Sequence, residues 1–476
     1  MLRGAIMNKP VLNPYLPSWE YIPDGEPYVF DGRVYVYGSH DAFNGCLFCL
    51  NDYVCWSAPV DDLGNWRYEG VIYRKEQDPR NRDGRSCLYA PDVTRGPDGR
   101  YYLYYVLDKE QIVSVAVCDT PAGKYEFLGY VHDKDGGILG ERPGDEGQFD
   151  PGLLTEGDKT YLYTGFCWHY RKDRHGPMVT VLDKDMLTIV EEPVFIAPSA
   201  PYSAGSGYEG HEFFEASSIR KRGGKYYFIY SSIRFCELCY AISDNPTSGF
   251  RYGGVIVANN DTNIDTYKSA EKPMYPGGNN HGSMVEINGQ WYIFYHRHTN
   301  GHAFSRQGCL EKISFDENGH IPQVEMTSCG STPLPGVGEW PAYIACNLFA
   351  AKPQAYDENA RDWVDCLVPK ITQDGRDGDT EPAYIFNMKD GATAGFKYFD
   401  CKGVKAVSIT MRGQANGHVL VKTAWDGEPL CRIPVGKENI WHTLRQEVAL
   451  PDGINALYFT YEGGGYMSLK SFELHV

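Results

Sequence analysis

Five polar residues stand at one recurring place in the chain. Asp24 precedes Tyr35 by 11 residues, Asp92 precedes Tyr102 by 10, Asp150 precedes Tyr161 by 11, Glu215 precedes Tyr227 by 12, and His281 precedes Tyr292 by 11. One acidic residue in such a place would simply cap a turn, as Asp often does. Four converging carboxylates repel one another, and their crowding raises at least one pKa, which leaves an acid that still holds its proton near neutral pH. With surrounding aromatics and no nucleophilic Ser or Cys motif, that set suits acid/base cleavage of a glycosidic bond. One carboxylate activates water while another protonates the leaving oxygen. Glu215 follows Phe213 and Phe214, an apolar setting that suits the general acid; Asp24 sits in the polar turn IPDGEP, which keeps a base ionised.

Such a site needs a scaffold that returns five distant positions to one spot. The anchor tyrosines lie in five copies of a turn-plus-strand unit: DGRVYVYGS from Asp31, DGRYYLYYV from Asp98, GDKTYLYTGF from Gly157, GGKYYFIYSS from Gly223 and NGQWYIFYHR from Asn288. Their spacings are 67, 59, 66 and 65 residues. Asp-Gly, Gly-Gly and Asn-Gly before aromatic, alternating segments are hairpin turns leading into strands. Further Asp/Pro/Gly turns follow at Ser57, Cys118 and Ser243. A repeat of this length, holding several antiparallel strands and no helical periodicity, predicts a five-bladed β-propeller, in which equivalent positions at the start of an inner strand ring the channel mouth. Trp168, His169 and Tyr170 follow the third inner strand and read as pocket wall or packed core. Arg297, after the fifth, is placed to meet a sugar hydroxyl or an axial carboxylate; His40 and Asp41, after the first, read as structural.

Composition excludes other classes. The 476 residues carry 45 Lys+Arg against 62 Asp+Glu, a formal charge of −17, which argues against nucleic acid or an anionic membrane as partner. With 42% hydrophobic and 22% charged residues the chain folds rather than staying disordered. No apolar core of a secretory signal opens the sequence, and its 14 cysteines read as reduced thiols, so a cytoplasmic location is expected. Two Cys-x-x-Cys pairs, Cys46/Cys49 and Cys236/Cys239, raise a four-thiolate zinc site, but residues three apart on a strand face opposite sides and the pairs belong to different blades. Buried thiols are the better reading.

The motifs resemble glycoside hydrolase family 43 over roughly residues 11 to 320. NPYLP from Asn13 and IPDGEP from Ile22 are similar to the family's opening segment, APDV from Ala90 to its second-blade motif, FDPGLL from Phe149 to its third, FEASSIRK from Phe214 to the fourth, and NNHGSM from Asn279 to the fifth. The resemblance implies a five-bladed propeller that inverts configuration at the anomeric carbon. It implies Asp24 as general base, Glu215 as general acid, Asp150 as the carboxylate that orients the acid and raises its pKa, and Asp92 as a supporting acid near the substrate. His281 would face a buried water or a structural calcium; no cofactor is required. Ala216 and Ser217 follow the acid where many members have Gly-Pro.

After GSTPLPGVGEW, ending at Trp340, the repeat stops. Alternating segments such as GVKAVSITMRG and ALYFTYEG predict an antiparallel β-sandwich of jelly-roll type. This region resembles a family 6 carbohydrate-binding module, with Trp441 and Tyr466 near the places of sugar-stacking aromatics, but Ser468, Leu469 and Lys470 replace the usual polar ligands. A structural role follows, with a loop that helps shape the propeller's pocket. The expectation is an all-β protein, a propeller over residues 1–330 and a sandwich over 331–476. It would be an exo-acting enzyme that removes L-arabinofuranose, or D-xylose as a β-xylosidase, from hemicellulose-derived oligosaccharides. The alternative class is a glycan-binding protein without catalysis.

Overall fold

The computed structural model describes residues 9–262, 264, 277–352, 356–357, 362–363 and 368–476. The first eight residues of the opening segment read for an export signal therefore lie outside the described residues.

Four blades are four-stranded antiparallel sheets in chain order: Glu26–Phe30 to Arg67–Tyr73, Asp92–Arg95 to Glu126–Tyr130, Gly152–Glu156 to Ile189–Phe195, and Phe213–Arg222 to Arg251–Ala258. The fifth has three strands among the described residues, Met284–Ile287, Gln290–Arg297 and Gln307–Ile313. First strands lie innermost: Gly25 of the first blade bridges Gly282 of the fifth. Gly152 comes so near Ser217 of the next blade that a Cβ there would lie 2.4 Å from its carbonyl oxygen. The ring closes through the N-terminal segment, where Tyr15 N–H donates to Gly308 O at 3.1 Å and Leu310 N–H to Asn13 Oδ1 at 2.9 Å.

Sequence and fold agree on the turns. Asp31/Gly32, Gly223/Gly224 and Asn288/Gly289 each have positive φ at both residues, the type I′ geometry whose twist matches a hairpin. These turns join first to second strands, so the anchor tyrosines sit on second strands. Trp168 and Arg297 accordingly follow or end second strands, not the axial ones expected from sequence.

Each pair of neighbouring blades shares one apolar layer, such as Tyr37, Tyr53, Tyr73, Leu103 and Tyr105 between the first two. Tyrosine suits such layers because its ring fills the seam while its hydroxyl reaches a polar group at the rim. Tyr37 donates to Pro121 O at 2.7 Å, Tyr163 to Pro246 O at 2.6 Å and Tyr227 to Gly319 O at 2.9 Å.

The C-terminal domain is built on a hydrogen-bonded sheet of ten strands that curls around its own core into the expected sandwich, with a separate short pair, Tyr356–Asp357 and Asp362–Trp363. The cause of the curl is the strand Ala406–Lys422. Its first half pairs with Met467–His475, its second half with Gly453–Gly464, and Cys431–Glu447 runs along its other edge. The register slips around Gly413, whose φ of 140° bends the strand between the two partners. Phe396, Phe399, Phe459 and Phe472 fill the curl. No described helix is long and apolar enough to cross a membrane.

Candidate active site

The ring forms at the axial end of the first strands. Asp24 and Asp150 each lie two residues before their first strand with left-handed backbones, φ 58° and 44°, a conformation uncommon outside glycine and concentrated at functional sites. Glu215 lies on a bulge. The register to Lys225–Ser232 slips on both sides of it, and Ala216 has φ 68°. Such a bulge re-aims a side chain that a regular strand would direct elsewhere. It also points Ala216 N–H at Asp150 Oδ2, 3.0 Å away, tying the third blade to the fourth. His281 sits among the acids, its Nδ1 3.9 Å from Asp24 Oδ1 and 3.8 Å from Asp150 Oδ2, its Nε2 3.8 Å from Glu26 Oε1. Burial, reinforced by His296 and Arg306, lowers its pKa to about 4 against the pull of Asp24, so it is neutral at neutral pH.

Asp24 is flanked by the Arg306 guanidinium and the His296 ring. Arg306 Nη1 lies 3.2 Å from its Oδ1, and its N–H donates to His296 Nδ1 at 3.2 Å. Arg306 is itself fixed by a fork onto Asp41, Nε to Oδ2 at 2.8 Å and Nη2 to Oδ1 at 3.0 Å, and its guanidinium lies over the Phe48 ring at 4.8 Å. Burial works against ionisation of Asp24, but Arg306 and His296 outweigh it and hold the carboxyl below the usual carboxylate range. Asp150 goes the other way. Burial first, then the charges of Glu215 and Asp24, push it well above that range against the Ala216 N–H and Arg306. Asp150 and Glu215 therefore resist joint ionisation.

Aromatic rings wall this end. Tyr89, Phe149 and Phe166 follow one another at 5.7 and 5.0 Å, and Phe166 meets Trp168 at 5.7 Å and Phe214 at 5.3 Å. Phe235 closes the arc, 4.8 Å from Phe214 and 5.9 Å from Trp168. Trp168 is half-buried within this arc, with Tyr170 stacked on it at 6.0 Å and open to solvent.

Other expected residues sit elsewhere. Asp92 is fully buried. Its Oδ1 accepts from Tyr28 OH at 2.8 Å and Val93 N–H at 2.7 Å, and its Oδ2 from Leu153 N–H at 2.7 Å. It braces three blades beside the Glu26–Arg220 pair (2.7 Å), and burial, then the charge of Glu26, raises its pKa well above normal. Arg297 departs from the expected axial or sugar contact: its Nη2 donates to Ala345 O of the second domain at 2.9 Å. Residues His296 and Arg297 point to opposite faces, as successive strand residues must, so the arginine beside the ring is Arg306. Cys239 neighbours His211 and Glu237, their ligand atoms within 4.8 Å of one another, rather than joining a four-thiolate site. In the second domain one face of Trp441 is covered by Arg412 at 4.2 Å, and Tyr466 packs on Phe386 at 5.7 Å.

Sequence reasoning missed Arg306, Glu26, Arg220 and His296, and it gave Asp41 no part in the site. A signal existed for Glu26, which stands two residues after Asp24 and opens the first strand of the same blade.

A five-bladed propeller whose axial mouth sets an arginine-paired aspartate against a crowded pair of carboxyls, under an aromatic wall, defines a glycoside hydrolase. The chain belongs to the glycosyl hydrolases family 43, whose family model matches residues 7–321. It is 70% identical over 470 residues to a "Xylosidase/arabinosidase" of Thermoclostridium stercorarium, covering 98% of this chain and 99% of that one. A beta-xylosidase/alpha-arabinofuranosidase from a compost microbial metagenome, solved with xylotriose, is 26% identical with a TM-score of 0.51, matching 65% of this chain and 97% of its own. An arabinoxylan arabinofuranohydrolase from Bacillus subtilis shares the fold across both domains, with a TM-score of 0.52, 19% identity, and coverage of 98% and 99%.

Proposed function

We propose that the protein is an inverting, exo-acting glycosidase that removes L-arabinofuranose, and D-xylose as second sugar, from hemicellulose-derived oligosaccharides. The observation that carries this reading is the split ring: Asp24 lies against the Arg306 guanidinium, while Asp150 is tied by the Ala216 N–H to the bulge that re-aims Glu215, so that Asp24 is held low and Asp150 is raised as acids. Asp24 takes a proton from water as that water attacks the anomeric carbon. The bond to the leaving oxygen breaks, and Glu215 supplies the proton that oxygen needs. Asp150 holds Glu215 protonated until then. Proton exchange with solvent resets both carboxyls. These side chains supply both proton roles, so no cofactor is assigned.

The double name of the Thermoclostridium relative supports both sugars. Trp168 forms a wall of the sugar pocket, and neutral His281 separates the base from the acid pair. Action in the cytoplasm belongs to the same proposal and is supported by thirteen free cysteines among the described residues.

Aryl α-L-arabinofuranoside and aryl β-D-xyloside, assayed side by side, test the substrate. Release from the first, with slower release from the second, is expected; the reverse ratio makes the protein a β-xylosidase. NMR of the first-formed sugar anomer tests inversion, and a retained anomer removes Asp24 as base.

A further inference from the structure

The second domain docks on the propeller's first and fifth blades through polar contacts. Ile371 N–H donates to Thr299 O at 2.8 Å and Ala383 N–H to Ser18 Oγ at 2.9 Å. Between these two points Asp377 extends over the propeller's first blade. Its Oδ1 accepts from Phe43 N–H at 2.6 Å and its Oδ2 from Asn51 Nδ2 at 3.2 Å.

Both partners belong to the segment 42–51, which has no strand or helix of its own, so its backbone polar groups need outside partners. The fifth blade supplies some: Asn44 N–H donates to Ser305 Oγ at 2.9 Å, and Ser305 Oγ to Ala42 O at 3.1 Å. Cys49 N–H donates to Asp41 Oδ1 at 3.0 Å and Lys75 Nζ to Leu50 O at 2.6 Å, and Asp377 adds its grip from the second domain. Asn51 Nδ2 also donates to Asp41 O at 3.2 Å, and Asp41 carries the fork of Arg306. The same segment holds Phe48, under the Arg306 guanidinium and 4.7 Å from Phe304.

We propose that Asp377 is a positioning residue for hydrolysis: a carboxylate of the second domain that sets the segment 42–51 and, through Asn51 and Asp41, the placement of Arg306 beside Asp24. This rests on the reading of Asp24 as general base. Asp377 is solvent-exposed, so replacing it leaves both apolar cores intact. A role in domain docking alone would alter stability; a positioning role alters the base.

The test uses the full chain as wild type, Asp377→Ala, Asp377→Asn and, as control, Glu381→Ala, another exposed acid of the same domain. Two readouts are taken: the pH dependence of kcat/KM on the better aryl glycoside, and hydrogen exchange across residues 42–51. Asp377→Ala is expected to lose about tenfold in kcat/KM, since small misplacements at a reacting centre are costly. Its acid limb should move to higher pH as Arg306 drifts from Asp24, and the Phe43 amide should exchange faster. Asp377→Asn keeps an acceptor for that amide and should recover most of the loss, while Glu381→Ala should match wild type. An unmoved acid limb together with unchanged exchange over 42–51 overturns the proposal, whatever happens to Tm. A wild type that releases neither aglycone sinks the glycosidase reading instead, and the exchange data still decide whether Asp377 holds the segment.

Discussion

Asp24 and Asp150 occupy one position in two copies of the same blade. They share a left-handed backbone and near-complete burial, 4% and 5% exposed, yet they are driven in opposite directions as acids. Burial acts alike on both, so the difference lies in neighbours that do not repeat. Asp24 has Arg306, delivered by the loop before the last blade strand and locked by Asp41. Asp150 has Glu215, re-aimed by a bulge that no other blade shows on its first strand. The repeat provides the positions, and its irregularities assign them chemistry.

Removing the proton donor gives the largest expected effect. Glu215→Gln should slow hydrolysis by about 10²–10⁴-fold, the usual contribution of general acid catalysis. The loss should grow across a series of aryl glycosides as the leaving group becomes poorer, because a good leaving group needs little protonation. Asp24→Asn should give a loss that is flat across the same series. Identical slopes for the two variants would erase the division between acid and base sides.

Equalising the two aspartates breaks the comparison more directly. Arg306→Met takes away the charge that holds Asp24 low, while burial remains. The sign follows: the Asp24 pKa rises, and the acid limb of the kcat/KM profile moves to higher pH. The same change leaves Asp41 buried without its partner, so the variant should unfold more easily, by about 3–5 kcal/mol, and needs assay at low temperature. Arg306→Lys keeps a charge without the fork and should shift the limb less. An acid limb at its wild-type pH in Arg306→Met would mean that Asp24 does not set that limb.

What was legible in the sequence follows the same division. The register of the turns before Tyr35, Tyr102, Tyr161, Tyr227 and Tyr292 was enough to place Asp24, Asp150, Glu215 and His281 together, because rotation about one axis superposes equal registers. Arg306 was not legible, since its partner Asp41 lies 265 residues away and neither has a counterpart in the other blades. Arg297 drew attention by lying near an anchor strand, but one step along a strand reverses the face. In the C-terminal third, alternation marks strands without telling one curled sheet from two stacked ones; the bend at Gly413 and the change of partner along Ala406–Lys422 decide that.

The smallest effect sharpens the comparison by testing a raised carboxylate just off that position. Asp92 opens the first strand of the second blade at the register of Glu26, two residues beyond that of Asp24 and Asp150, and burial and the charge of Glu26 raise its pKa as burial and Glu215 raise that of Asp150. Its oxygens, however, accept from Tyr28, Val93 and Leu153. Asp92→Asn exchanges one accepting oxygen for a donor, setting an amide against either the tyrosine hydroxyl or the Leu153 N–H. An unsatisfied buried group of this kind costs about 1–3 kcal/mol, so the midpoint of denaturant unfolding should fall. Catalysis should hardly notice: kcat/KM within about threefold of wild type, with an unmoved pH profile, is expected of a residue whose effect is structural. A loss comparable to that of Glu215→Gln, with stability unchanged, would instead make Asp92 a fourth working carboxylate and show that the working set extends one strand step beyond the ring, whatever hydrogen bonds its neighbours supply.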